Sequence, residues 1–156
     1  MSDETRVGKI GSRKTGGIGH LIFDNPTRRN AVSRDMTRQV PEVLADFEQD
    51  PDIRVVVVSG AGGKSFISGA DISEFEKTRA NAETARQSSA ASMAMFDGLR
   101  AFPKPTIAKI RGYCFGGGVA LACGCDLRVA ADDALFAIPA ARLGIGYRAT
   151  FTRWVT

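Results

Sequence analysis

The run Val55-Val56-Val57-Val58 does most to limit what this chain can fold into. Four consecutive β-branched side chains favour extended backbone, because they are stiff at χ1 and crowd a helix. A strand with one wet face alternates apolar and polar residues, and this one does not. An uninterrupted apolar strand is read as buried on both faces, which points to a parallel sheet. Thr106 to Ile110 reads as a second strand of this kind. Parallel neighbours need a crossover between them, and helical patterns stand where crossovers are required. Met36, Val40, Val43, Leu44 and Phe47 recur at helical spacing behind Ser33, a good N-cap. Pro41 within that helix predicts a kink, and Asp50-Pro51-Asp52 ends it. Residues 78–102 read as a longer helix, with Met93, Met95, Phe96, Leu99 and Phe102 as its apolar members and Pro103 and Pro105 beyond it.

The flanking segments complete an α/β chain. Val7 to Ile10 and Ile18 to Phe23 read as strands of a hairpin turned by Lys14-Thr15-Gly16-Gly17. Leu127 to Ala130 and Leu135 to Ala137 read as short strands. At 156 residues the chain is long enough for one domain with a real core. Tyr147 to Thr156 opens an amphipathic helix, with Phe151, Trp154 and Val155 on one side, and stops without a cap. The expectation is a fragment of a longer protein.

Charge and cysteine content narrow the function classes. The net charge of +4 is mild, and the arginines are scattered rather than stacked on one face. That pattern disfavours a nucleic-acid footprint and is compatible with a small polyanionic ligand. The start Met1-Ser2-Asp3-Glu4 is acidic and polar, unlike a secretory leader, and the uncharged run Gly112 to Cys125 is too short and glycine-rich to span a bilayer. No membrane partner is expected, and the cytoplasm is the expected location. Cys114, Cys123 and Cys125 have no zinc-type spacing, and His20, the one histidine, is distant in sequence. They read as free thiols, and no metal site is expected.

Two loops share one design. Val55–Val58 leads on to Ser68-Gly69-Ala70-Asp71-Ile72, and Thr106–Ile110 leads on to Gly116-Gly117-Gly118. Each offers backbone N–H groups near a helix start, where an oxygen carrying negative charge is favoured. Two such donors on one oxygen make an oxyanion hole.

These segments resemble the crotonase superfamily, the enoyl-CoA hydratase/isomerase group. The resemblance is carried by Asn25-Pro26-Thr27-Arg28-Arg29-Asn30-Ala31, by Arg54 through Gly60-Ala61-Gly62-Gly63-Lys64 to Ile72, and by Lys104-Pro105-Thr106 through Gly118. It continues from Cys125-Asp126-Leu127 to Pro139 and at Leu143-Gly144. It implies a spiral of ββα turns, one partial acyl-CoA-binding core over residues 1–156, and a missing C-terminal helical region that in the family supports trimers or hexamers. It implies acyl-CoA thioesters as substrates, with coenzyme A as part of the substrate and no tightly bound cofactor. Carried over by position, the oxyanion-hole donors are Ala70 and Gly117, flanked by Ser68, Gly69 and Gly116. The main chain at Ala70, Asp71 and Ile72 resembles the loop receiving adenine. Arg29 and Ala31 lie in the segment that the family places near pantetheine and phosphates, and either Arg28 or Arg29 supplies phosphate charge or is a solvated surface residue.

The resemblance also shows what is absent. Hydratases of the group use two glutamates, and the matching positions are Ala120 and Ala140. A positioned acid or base contributes about 10²–10⁴-fold, and alanine moves no proton. Ordinary hydration is therefore not expected, and enolate chemistry without the glutamate pair, decarboxylation included, ranks above it. Leu143-Gly144-Ile145-Gly146-Tyr147 resembles the segment with a functional tyrosine in the superfamily's methylmalonyl-CoA decarboxylases. Tyr147 either serves the reaction or packs as an aromatic at a helix start. Asp71 is either an acid or a cap, Arg142 pairs with a substrate carboxylate or a surface acid, and Tyr113 and Cys114 lie close enough to the glycine turn to touch substrate. His20 sits in a strand pattern and reads as structural. A non-catalytic acyl-CoA-binding member of the family is the alternative.

Overall fold

The computed structural model describes residues 8–75, 80–144, 146 and 149–155. Strands β1 (Lys9–Thr15) and β2 (Ile18–Asp24) form the antiparallel hairpin, with Gly16-Gly17 as its two-residue turn. The first strand thus runs later than the sequence pattern suggests, because Arg13, Lys14 and Thr15 extend the ladder as far as the turn; Val7 lies outside the described residues. Helix α1 (Arg34–Gln49) follows, with the Ser33 hydroxyl accepting from Met36 N–H, and runs through Pro41. Then come β3 (Val55–Gly60), β4 (Ser65–Ile67), α2 (Ala82–Arg100), β5 (Thr106–Ile110), β6 (Tyr113–Phe115), α3 (Gly117–Gly124), β7 (Leu127–Ala130), β8 (Leu135–Ala137) and α4 (Ala149–Val155). The long helix is capped by a reciprocal Asn81–Thr84 pair, so its described start is Ala82; the predicted start at 78 falls partly outside the described residues.

Strand order explains the architecture. One sheet runs β1-β2-β3-β5-β7 and the other β4-β6-β8, and every pairing after the hairpin is parallel. Each successive turn therefore gives one strand to the first sheet, the next to the second, and then a helix. Such a ββα spiral keeps parallel strands adjacent by short steps.

The core lies between the first sheet's inner face, the second sheet and the helices. Leu21, Phe23, Val56, Val58 and Ala108 meet Met36, Val40 and Phe47 there, all without exposed surface. Each such large apolar side chain contributes about 1.5–3 kcal/mol by leaving water. The expectation that Val55–Val58 is buried on both faces needs correction. Val56 and Val58 are fully buried, but Val55 and Val57 are half-buried, and Lys109 on the neighbouring β5 is exposed. The core and α1 cover one face of this sheet, and the alternating residues look outward. Among the described residues, no helix is long and apolar enough to cross a membrane.

Candidate functional site

The second sheet builds the site. All three residues of β4 are buried, and the chain leaves it through Ser68-Gly69-Ala70-Asp71. That loop is pinned to the segment before α1 by a short parallel bridge. Val32 N–H donates to Gly69 O at 2.8 Å, and Asp71 N–H donates to Val32 O at 2.9 Å. In a parallel bridge these bonds engage the residues on either side of Ala70, so the N–H of Ala70 itself stays out of the ladder. It has no partner among the described residues.

The neighbouring strand β6 ends in the glycine turn. Gly116 adopts φ 52° and ψ −115°, a conformation that only glycine takes readily, and its N–H donates to Ala137 O of β8 at 2.8 Å. The turn redirects the chain straight into α3. Gly117 is the first residue of that helix, so its N–H has no carbonyl one turn earlier to bond and has no partner among the described residues. A Cβ at Gly118 would collide with the carbonyl oxygen of Ile67, so its absence lets α3 lie directly on β4. A Cβ on Gly69 would stand 3.5 Å from Phe115 O, which places the two loops side by side. Parallel pairing of β4 with β6 thus brings two unpaired N–H groups to one end of the sheet.

A buried polar network holds the first loop. Arg29 and Asn30 both have positive φ, 54° and 57°, and are the two described non-glycine residues with that backbone. Asn30 is almost wholly buried. Its side chain accepts from Asn25 N–H at 2.9 Å and donates to Ala61 O at 2.9 Å and Ser65 O at 2.8 Å. Asn25 donates its amide to Ala31 O, and the Ser65 hydroxyl lies 2.8 Å from Arg29 O and 3.1 Å from Tyr113 O. The Ser68 hydroxyl donates to Arg28 O. These contacts over-determine a strained segment, as strained backbone requires. Sequence reasoning placed Asn25, Asn30 and Ser65 within the segments that carry the resemblance but gave them no holding role; the signal available was a polar run, Asn25 to Asn30, between an apolar strand and an amphipathic helix.

The remaining candidates separate. The Asp71 carboxylate accepts from the N–H and hydroxyl of Ser73 and pairs with Arg28 at 3.4 Å, so of its two readings the cap is the one seen. Ile72 is exposed on the same turn. The Arg29 guanidinium lies 4.7 Å from the centre of the Tyr113 ring, a cation–π contact beside the loop. Cys114 is fully buried, and burial pushes its thiol up to about 12, which leaves no thiolate for chemistry. Cys125 is likewise pushed up by burial to about 12. The described cysteines are all free. Ala120 has no exposed surface and belongs to the core, Ala31 is buried beneath the strained segment, and Ala140 is half-buried at the start of a single helical turn. His20 sits on the first sheet, paired with Arg13 and Val57, away from both loops; burial, then Arg13 and Lys109, lower its pKa. Arg142 is exposed, while Tyr147 and the side chains of Trp154 and Val155 lie outside the described residues.

The chain is similar to a known family. A family profile described as enoyl-CoA hydratase/isomerase matches residues 13–156. The chain is 34% identical over 132 residues to a short-chain-enoyl-CoA hydratase of Clostridium acetobutylicum, covering 85% of this chain and 50% of that protein. It is 35% identical over 138 residues to a peroxisomal Δ(3,5)-Δ(2,4)-dienoyl-CoA isomerase of Arabidopsis thaliana, covering 82% and 49%. A solved structure of an enoyl-CoA hydratase/carnithine racemase from Magnetospirillum magneticum superposes with TM-score 0.89 at 36% identity, over 94% of this chain and 55% of that one. The chain spans about half the length of the curated relatives it matches.

Proposed function

This chain belongs to the enoyl-CoA hydratase/isomerase family, and from that premise we propose that it binds acyl-CoA thioesters and stabilises an enolate at the paired loops. One observation carries the reading: the N–H groups of Ala70 and Gly117, on adjacent loops, have no partner among the described residues, and the second lies at the positive end of a helix. A thioester oxygen held by both gains little in the ground state and more as it takes on charge. Each donor of this kind is worth about 10²–10³ in turnover.

The reaction we propose needs no general base. With alanine at 120 and 140, neither position can take a proton from water or carbon. In a malonyl-type thioester, breaking the bond to the carboxylate releases CO2 and leaves its electron pair on the α-carbon. The pair delocalises onto the thioester oxygen between the two N–H groups, and a proton then returns to carbon. Tyr147 is the proposed residue for orienting the carboxylate or delivering that proton. A binding-only role is the second reading, favoured by the burial of Ala120 in the core.

Incubation with crotonyl-CoA and methylmalonyl-CoA, followed by mass spectrometry of the products, tests this. The expected outcome is loss of CO2 from methylmalonyl-CoA with crotonyl-CoA unchanged. Hydration of crotonyl-CoA would contradict the glutamate argument, and binding of both without change would favour the second reading.

A further inference from the structure

We propose that the corner between the two sheets is a second ligand site, which takes the phosphoryl group of a small phosphorylated molecule. It is separate from the glycine loops and does not depend on the enolate reading. A concave space of about 300 Å³ opens there, lined by Ser59, Gly60, Gly63, Ser65, Lys109 and Arg111. That volume is at the lower end of ordinary ligand pockets, about 300–1,000 Å³, and leaves room for a phosphate and the body that carries it.

The lining chemistry has one sign. It contains an ammonium and a guanidinium but no carboxylate. Neither the Lys109 nor the Arg111 side chain has an ion pair or hydrogen bond among the described residues, in a chain where Lys14 and Lys104 are both engaged. Their placement follows from the fold. Lys109 stands directly across from Ser59 in the β3–β5 register, so the ammonium and the hydroxyl share the outward face. Arg111 follows the last residue of β5 and lines the same hollow. The Ser59 hydroxyl is unbonded among the described residues. Two cations and a hydroxyl around a glycine-lined hollow match a phosphate dianion, which accepts several charge-assisted hydrogen bonds at once.

Topology separates this hollow from the candidate active site. It sits where β4 and β6 begin, at Ser65 and just before Tyr113, whereas Ala70 and Gly117 follow the ends of those strands. Three residues of extended chain put about 10 Å between the two ends.

The test is calorimetric titration of the chain with inorganic pyrophosphate at constant ionic strength. Saturable binding is expected, weakened about tenfold or more in Lys109→Gln and in Arg111→Gln, since each removes a charge-assisted contact. Lys109→Arg keeps the charge and is expected to keep the binding, which guards against a mere folding defect. Gly117→Pro, aimed at the other site, is expected to leave pyrophosphate affinity unchanged. Binding that survives both glutamine substitutions, that vanishes when sodium chloride sets the ionic strength, or that is lost in Gly117→Pro would overturn the proposal.

Discussion

Asn30 carries the structural argument at the scale of single residues. Its one side chain satisfies three backbone groups from three different segments while its own backbone holds a positive φ. Truncating it leaves those groups buried and unpaired, and each such group costs about 1–3 kcal/mol. Asn30→Ala is therefore expected to lower stability by several kcal/mol in a urea titration, and to loosen the loop that presents Ala70. Little effect on the midpoint would mean that the network is not what holds the segment. Sequence reading reached the two loops because glycine and its neighbours announce a turn. It gave Asn25, Asn30 and Ser65, all within the segments that carry the resemblance, no structural role, because a buried asparagine and a solvated one look alike until the partners are known. It also gave Asp71 two readings, and the Ser73 and Arg28 contacts pick the cap, which a local sequence cannot do for a residue paired with one 43 positions away.

At the scale of elements, the parallel neighbours β5 and β7 are tied at their start by a reciprocal clamp. The Asp126 carboxylate accepts from the N–H and the hydroxyl of Thr106, each at 2.8 Å, and Asp126 N–H donates back to the Thr106 oxygen at 2.9 Å. Those bonds favour the charged form: first the Thr106 N–H, then its hydroxyl, hold the carboxyl below its ordinary value of 3.8. The folded state thus binds that proton less readily than the unfolded chain. The clamp's contribution is present above the unfolded value and is lost as pH falls through the folded one. Asp126→Asn is expected to flatten the acid limb of the stability profile below about pH 4. An unchanged limb would assign the acid sensitivity elsewhere. The longer elements and their order were legible from the sequence, since β-branched runs and helical periodicity are strong local signals, but β4 and β6, three residues each and embedded in glycine-rich loops, were not read as strands. Exposure was less legible. Val55 and Val57 read as buried on both faces of their strand, yet both are half-buried, because burial depends on which layers lie against a strand.

For the whole molecule, the spiral sets two loops that are distant in sequence side by side. Ala70 and Gly117 are brought together only because β4 and β6 are parallel neighbours and because α3 lies hard against β4 at Gly118. The order of strands within two sheets, rather than any one motif, sets this adjacency of the loops, so the sequence alone could suggest the pair but not its placement. The most direct test of the central claim is the infrared band of a thioester carbonyl, isotopically labelled at carbon, in an acyl-CoA bound to the protein. Two converging donors polarise the C=O bond, so the band is expected to move to lower wavenumber on binding. Gly117→Ala should keep that shift, since among the described residues its Cβ meets the Phe96 ring alone, at 3.6 Å. Gly117→Pro, at a first helical position that tolerates proline, removes the N–H and should lose most of it. A bound thioester with an unshifted band, or the same shift in Gly117→Pro, would contradict the account.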